Sequence, residues 1–437
     1  MRLAYQTTLP LDLPKAELST SSLQLMREGT FIDNMKLPIH RWFRYSAGFS
    51  ADWVVKTINN LGLNKDSYLL DPFAGSGTSL IAAESVGINS VGLETHPFIF
   101  RIASSKLLWH ENPNELLNIS SAILETAQRN IAPLKLISSP LLAKCYSKAN
   151  LAKLEALKAA YLDMHTSAPV WELVWLAITS ILRPTSMAGT AQWQYVLPNK
   201  PKSVVIDPFD AFCARINIIA EDMLFAQSAG YKVNARIFHY DARNLDAAKF
   251  PMFDALITSP PYPNNYDYAD ATRLELVFWG DINGWGDLQD TIRKYLIRSC
   301  SQHSAAERLT LDSLLKEDSL KSIRSEITHV CNELAEIRFS KGGKKTYHTM
   351  IAAYFLDMSK VFQSLRPILK EKSTLCFVIG DSAPYGVYVP VEKWLGELAL
   401  AAGFKGHSFE KIRDRNIKWK NRKHKVPLKE GRLWIEG

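Results

Sequence analysis

Ser259-Pro260-Pro261-Tyr262 follows directly on the apolar run Asp254-Ala255-Leu256-Ile257-Thr258. Proline donates no backbone hydrogen bond and holds φ near about −65°, so two in succession end a strand and leave its last carbonyls facing outward. Acceptor oxygens of Ser259 and Pro260 would then lie beside the flat ring of Tyr262. Such a site suits a planar group that carries an NH2, for example a nucleobase with an exocyclic amine. An isolated Pro-Pro pair is more often only a rigid strand exit, so its meaning depends on the rest of the chain.

Upstream, Asp71-Pro72-Phe73-Ala74-Gly75-Ser76-Gly77-Thr78 follows the apolar Tyr68-Leu69-Leu70 and precedes a helical stretch from Ser79 to Val86. Glycines at a strand-to-helix turn let the backbone bend tightly and approach a ligand, with free amide donors at the helix start. The third glycine of the dinucleotide fingerprint is missing, so that motif does not fit. The strand-like Ser90-Val91-Gly92-Leu93 ends in Glu94, where an acid can accept hydrogen bonds from ribose hydroxyls. Asp241 follows a third strand-like run, 235–240. Each acid alone reads as a solvated strand end. Three at consecutive strand ends point to one ligand, because open α/β sheets bind ligands outside the carboxyl ends of their strands.

In these strand contexts the two motifs resemble those of the S-adenosylmethionine-dependent amino-methyltransferases of DNA. Asp-Pro-Phe-x-Gly-Ser-Gly-Thr looks like that family's cofactor loop and Ser-Pro-Pro-Tyr like its catalytic motif; the likeness covers roughly residues 40–105, 205–280 and 345–437. It implies S-adenosylmethionine as cofactor, with Asp71, Pro72, Phe73, Gly75, Gly77 and Thr78 around the methionine part, Glu94 at the ribose and Asp241 at the adenine amine. Phe49-Ser50 resembles the segment that closes the methionine side, although the pair also reads as a packing residue followed by a helix N-cap. Ser259, Pro260, Pro261 and Tyr262 are the implied catalytic residues. Ser259 and the Pro260 carbonyl would accept the amine's hydrogens, and Tyr262 would stack on a base flipped out of the duplex.

The cofactor loop precedes the catalytic motif, whereas many Ser-Pro-Pro-Tyr cytosine enzymes of the family carry the reverse order. Serine at the first position resembles the cytosine-N4 group more than the adenine-N6 group, where aspartate is common. The expected activity is therefore site-specific N4 methylation of cytosine in double-stranded DNA, with N6-adenine methylation as the alternative. A guanine-N2 RNA methyltransferase and a catalytically silent nucleic-acid-binding module are less favoured. A cognate restriction enzyme is an implied partner, and the cytoplasm of a prokaryote, at the nucleoid, the implied location.

Composition agrees without deciding. A chain of 437 residues, 47% hydrophobic and 22% charged, reads as globular, with room for one large domain bearing insertions or for two domains. Its net charge of +8 suits a polyanionic partner. No apolar run approaches the ~18 residues of a membrane span, and no signal peptide is evident. Cys145, Cys213, Cys300, Cys331 and Cys376 are scattered, so neither a metal site nor a disulfide framework is expected. None follows a proline, whereas cytosine-C5 methylation resembles a thiolate chemistry whose family carries a Pro-Cys motif. An amino-nitrogen target needs no such covalent step.

To position these residues the chain offers strand candidates near 67–71, 90–94, 234–241, 253–259, 374–381, 406–413 and 432–436, mostly separated by helical patterns. This alternation predicts a mainly parallel α/β sheet covered on both faces. The resemblance sharpens it to a seven-stranded Rossmann-like methyltransferase sheet with a C-terminal antiparallel hairpin. The expected division is 1–105 for the N-terminal segment and cofactor half, 205–270 for the catalytic part and 349–437 for the C-terminal part of the sheet domain. Two insertions interrupt it: 106–204, mainly helical with a loop over 186–202, and 271–348, with a helical pattern over 310–339 and a basic loop. Either is a candidate for target recognition, since a sheet edge alone does not read base sequence. Lys341, Lys344 and Lys345, and Lys418, Lys420, Arg422 and Lys423 around Trp419, are candidate DNA-phosphate contacts; charge runs also read as solvated faces. Pro263-Asn264-Asn265-Tyr266-Asp267-Tyr268 could line a target-base pocket or serve as a turn-rich connector.

Overall fold

The computed structural model describes residues 31–45, 47–132, 139–191, 195–306, 309–342, 345–415 and 426–437. Their centre is a sheet of seven strands: β1 (Tyr68–Asp71), β2 (Asn89–Leu93), β5 (Ala235–Phe238), β6 (Phe253–Thr258), β7 (Leu369–Gly380), β8 (Gly406–Arg415) and β9 (Leu428–Glu436). The order is β5-β2-β1-β6-β7-β9-β8. The first five are parallel, and β9 runs antiparallel to both β7 and β8. The fold is thus the expected Rossmann-like α/β arrangement. From β1 the chain adds β2 and β5 on one side and then returns to place β6 on the other, so β1 and β6 border the switch point.

Alternation along the strands explains why both faces are covered. Leu70, Leu256, Leu375, Phe377 and Ile379 enter one buried cluster with helices Tyr347–Leu365 and Val391–Ala401. Their neighbours Leu69, Ala255, Ile257, Cys376 and Val378 enter the opposite cluster with Trp53, Val54 and Ile58 of helix Ala51–Asn60. A central parallel strand buried on both sides therefore reads as a continuous apolar run, as Ala255-Leu256-Ile257 does.

The helices of the first insertion, Pro113–Arg129, Lys148–Met164 and Val170–Ile181, pack with helix Pro208–Ser228 into a buried cluster that also takes in Leu80, Ile81, Ile99 and Ile102 of the sheet-domain helices. Helix 170–181 buries every residue except Glu172 and Ser180; so nearly continuous an apolar run does not by itself separate a buried helix from a strand. The expected loop over 186–202 is instead a two-stranded ribbon, β3 (Ala188–Thr190) against β4 (Val196–Pro201). Three residues are too few to show alternation. Gly189 permits the pairing, because a Cβ there would stand 2.8 Å from the Lys200 carbonyl oxygen.

The expected helix over 310–339 is broken into Leu311–Leu315, a turn at Asp318–Leu320 and Arg324–Ser340. The Arg324 guanidinium donates to the carbonyls of Lys316 and Glu317 at 3.2 and 3.0 Å, partnering carbonyls that a continuous helix would pair internally. The first helix is capped by Thr310, which accepts from Ser313 N at 3.3 Å.

Gly92 on β2 marks where the sheet meets the glycine turn: a Cβ would lie 2.7 Å from Leu80 Cδ1 and 2.9 Å from Ala74 Cβ. Gly92→Ala is expected to lower unfolding free energy by about 1–3 kcal/mol through overpacking, read from the urea midpoint.

Candidate active site

The parallel strands bring their carboxyl ends to one edge, where a cleft of about 810 Å³ opens. Its floor is the turn after β1, Pro72–Ser76 and Thr78, and its sides are Leu93–His96 after β2, Asp241 and Ala242 after β5, and Ser259 and Pro261 after β6. Tyr45 and Ala47–Phe49 close it from the N-terminal segment, and Tyr268 and Tyr295–Ile297 from beyond Ser259-Pro260-Pro261-Tyr262. Motifs that begin at residues 71 and 259 thus share one cavity.

Asp71 lies beneath this floor, not in its lining, and is 1% exposed. Its carboxylate accepts from Ser79 Oγ, from Thr258 Oγ1 at 2.6 Å and from Phe73 N at 3.1 Å. Burial pushes its pKa up to about 6, against the pull of those donors. Gly75 and Gly77 adopt φ of 53° and 84°, the left-handed region that favours glycine. A Cβ on Gly75 would also meet Tyr45 Cε1 at 3.1 Å. Gly77 starts helix Thr78–Ser85 without lining the cleft.

Glu94 lines the cleft and braces it. One oxygen accepts from Gly75 N at 3.0 Å and the other from His96 N at 2.8 Å. Burial raises its pKa to about 7 despite these bonds. His96, 2% exposed, is held neutral by burial, its pKa lowered to about 3. Its Nε2 lies 3.0 Å from Thr272 Oγ1, which itself donates to Ala269 O at 3.0 Å. That arrangement makes Nε2 the donor and leaves Nδ1 as a buried acceptor with no partner among the described residues. Asp241 meets the cleft as half of an ion pair: Arg243 Nε lies 3.0 Å from each carboxylate oxygen and Nη2 2.8 Å from one.

Ser259 Oγ donates to Val378 O on β7 at 3.1 Å, which commits its proton and leaves its lone pairs as acceptors. Pro260 and Tyr262 do not line the cleft. Tyr262 turns toward the ends of β7 and β8, where Arg415 lies over its ring. Burial first, and Glu430 second, push its phenol above the ordinary range. Phe49 lines the cleft, while Ser50 caps helix 51–60 by accepting from Trp53 N at 3.4 Å. Ser50 is thus the helix N-cap, and Phe49 stands in the cleft wall. Lys341 and Lys345 are exposed near the end of helix 324–340 and do not line the cleft. Lys344, Lys418, Lys420, Arg422 and Lys423 lie outside the described residues.

Several residues with no motif hold this site together. Asp222, 2% exposed on helix 208–228, accepts from Ile39 N at 3.0 Å, Trp42 Nε1 at 2.9 Å and Arg41 Nε and Nη2 at 3.0 and 2.6 Å. Lys106, fully buried, donates to His40 O and Phe43 O at 3.1 and 3.4 Å. Asn34 bridges Phe49 O and Ala51 N at 2.8 and 2.9 Å. Together they strap residues 31–51 down so that Tyr45 and Phe49 form a wall of the cleft. The legible signal was an acid on the apolar stripe of helix 208–228, where Ile219, Met223 and Ala226 are core. Tyr195, at the base of β4, accepts from Asp267 N at 2.8 Å and packs on Tyr266, tying the ribbon to the segment after the catalytic motif. Among the described residues no group of His, Cys, Asp and Glu could hold a metal ion, and no helix is long and apolar enough to cross a membrane.

Residues 29–105 match the family described as DNA methylase, the N6/N4 type. Over 407 residues the chain is 26% identical to the type II methyltransferase M.BsoBI of Geobacillus stearothermophilus, covering 85% of this chain and 80% of that protein. It is 25% identical over 411 residues to the type II methyltransferase M.AvaI of a Nostoc species, covering 86% and 81%. A solved rRNA methyltransferase, aviRa from Streptomyces viridochromogenes, aligns with 91% of this chain and 85% of its own at 10% identity, but with a TM-score of only 0.28. With the two motifs, the match of residues 29–105 and the likeness to M.BsoBI and M.AvaI over most of the chain support a DNA amino-methyltransferase of this family. Its methyl donor is S-adenosylmethionine.

The cleft fits that cofactor. It pairs an apolar lining of Phe73, Leu93 and Ile297 with the acceptors Glu94 and Asp241, as expected of a largely apolar pocket with a few convergent polar groups. Gly75 leaves room where a side chain would meet Tyr45.

Two outcomes follow from this geometry. Hydroxyl donors favour an ionised Glu94, so cofactor affinity should rise with pH through about 7, by up to roughly tenfold per pKa unit. Without cofactor the sign reverses: a carboxyl whose pKa is raised on folding loses stability as pH climbs from 4.5 toward 7. Glu94→Gln should flatten both profiles, read by calorimetry and by thermal melts across pH. Asp222→Asn should raise the cofactor dissociation constant about tenfold, the equivalent of ~1.4 kcal/mol from a weakened charge-assisted contact, with maximal turnover retained.

Proposed function

We propose that the protein transfers a methyl group from S-adenosylmethionine to the exocyclic N4 amine of a cytosine flipped out of double-stranded DNA at a specific sequence. The observation that carries this reading is Ser259: its hydroxyl proton is spent on Val378 O, so the oxygen beside the cleft is an acceptor for an amine. The similarity to type II methyltransferases over most of the chain supports DNA as the substrate and a restriction enzyme as the cognate partner.

Bound S-adenosylmethionine supplies an electrophilic methyl group. The nitrogen of an aromatic amine has its lone pair delocalised into the ring and is a poor nucleophile until that density is drawn back. Ser259 Oγ and the Pro260 carbonyl accept the two N–H groups and favour this rehybridisation. No strong base is needed: once nitrogen holds the methyl group it is cationic, and its proton passes to an acceptor or to solvent. The Tyr262 phenol, pushed above its ordinary range by burial, stays protonated and serves as a stacking surface. Acceleration then comes from orientation and from acceptors already in place.

Incubation with labelled cofactor and unmethylated DNA, followed by mass spectrometry of the nucleosides, should yield N4-methylcytosine, and sequencing of the modified DNA should map its site. N6-methyladenine would transfer the reading to adenine, and absence of any DNA product would remove it. Tyr262→Ala should slow turnover about 10- to 100-fold, matching ~1–3 kcal/mol for a stacked base, while cofactor affinity stays nearly unchanged.

A further inference from the structure

Arg415 stands just before the basic cluster around Trp419 in sequence, yet its side chain turns inward. Its guanidinium carbon lies 5.3 Å from the centroid of the Tyr262 ring, over its face. Nη1 donates to Asp381 O at 3.1 Å, and Nε lies 3.5 Å from Glu430 Oε2. Glu430, 4% exposed, is itself held by Arg413 Nη2 at 2.7 Å. A Cβ on Gly380, the last residue of β7, would stand 2.6 Å from Arg415 Nη1 and 3.1 Å from Tyr262 Cε2. Ring and guanidinium therefore pack here only because residue 380 has no side chain. The ends of β7, β8 and β9 converge on the catalytic tyrosine, although none of these residues lies near it in sequence.

We propose that Gly380, Arg415 and Glu430 form a cradle for Tyr262, in which the guanidinium covers one face of the ring and leaves the other for the target base. Arg415 is thus a positioning residue, and the proposal rests on the assignment of Tyr262 to the base. A planar guanidinium fixed by a carboxylate and a carbonyl is a stiff platform, and its attraction to an aromatic face resists tilting of the ring. An unsupported ring would still accept a base but would present the amine off-line to Ser259 Oγ and the Pro260 carbonyl. Misplacement by about 1 Å costs a transfer reaction of the order of a hundredfold.

The test uses the full-length protein and a duplex carrying its mapped site. Single-turnover transfer at saturating DNA and cofactor is compared among wild type, Arg415→Ala, Arg415→Lys and Gly380→Ala. Emission of 2-aminopurine at the target position reports stacking, and calorimetry reports cofactor affinity. Arg415→Ala and Gly380→Ala should slow transfer by about tenfold or more, raise the emission and leave the cofactor dissociation constant within about twofold. Arg415→Lys, which keeps the cation but not the planar stack, should fall between. An unchanged rate and emission in Arg415→Ala, with an active wild type, would overturn the cradle alone. A rate loss matched by lost cofactor affinity would also overturn it, since that is general damage. A wild type that methylates no DNA would overturn both the cradle and the functional reading. If Gly380→Ala does not fold, the two Arg415 variants decide the matter.

Discussion

A buried carboxylate at the switch point of the sheet organises the rest. Asp71 ends β1, accepts from Thr258 at the end of β6, and holds Phe73 N and Ser79 Oγ across the glycine turn. One side chain thereby sets the cofactor loop, the first turn of helix 78–85 and the strand that delivers Ser259 in a common frame. Hydrogen bonds to a charged group are each worth more than neutral ones, and an acceptor left without them in that interior would be costly. Its own pKa, raised only to about 6, shows how far those donors offset full burial.

Around that anchor the molecule builds its cleft from three directions. Parallel strands present Glu94, Asp241 and Ser259 at one edge. The N-terminal segment closes over them, held by Asp222 on a helix at the far boundary of the insertion and by Lys106 beneath it. The antiparallel pair β8–β9 then brings Arg415 and Glu430 against Tyr262. Each wall comes from a different stretch of chain, and helix 208–228, which carries no motif, supplies part of the clamp. Asp222 illustrates the economy of the arrangement: one carboxylate satisfies a backbone amide, an indole and a guanidinium.

The electrostatics of the cleft follow from burial more than from charge. Burial raises the Glu94 pKa to about 7 because desolvation outweighs its backbone donors, and His96 is neutral for the same reason in the opposite sense. Asp241 differs, since Arg243 already pairs with it. The three acids that sequence reading grouped as equivalent strand ends therefore enter the site in three conditions: one beneath the floor, Asp71; one in the wall with a raised pKa, Glu94; and one neutralised by its neighbour, Asp241.

By itself the sequence determined the sheet and the methyltransferase class. Strand alternation, the glycine turn and the Pro-Pro exit are local: steric limits on φ and the period of side chains act within a few residues, so Gly75, Gly77 and Ser259 to Tyr262 were legible without coordinates. It did not show the ribbon at 188–201 or the helix 170–181, because one is too short to show alternation and the other is a nearly unbroken apolar run that periodicity alone does not assign. Nor did it show that Asp71 sits under the floor, that Asp222 and Lys106 strap the N-terminal wall, or that Arg415 turns in to meet Tyr262 instead of facing solvent. Those are pairings across more than a hundred residues in several cases, between side chains whose types alone admit many partners. Only chain closure around a packed core decides which of those partners a charge meets and whether it meets water at all.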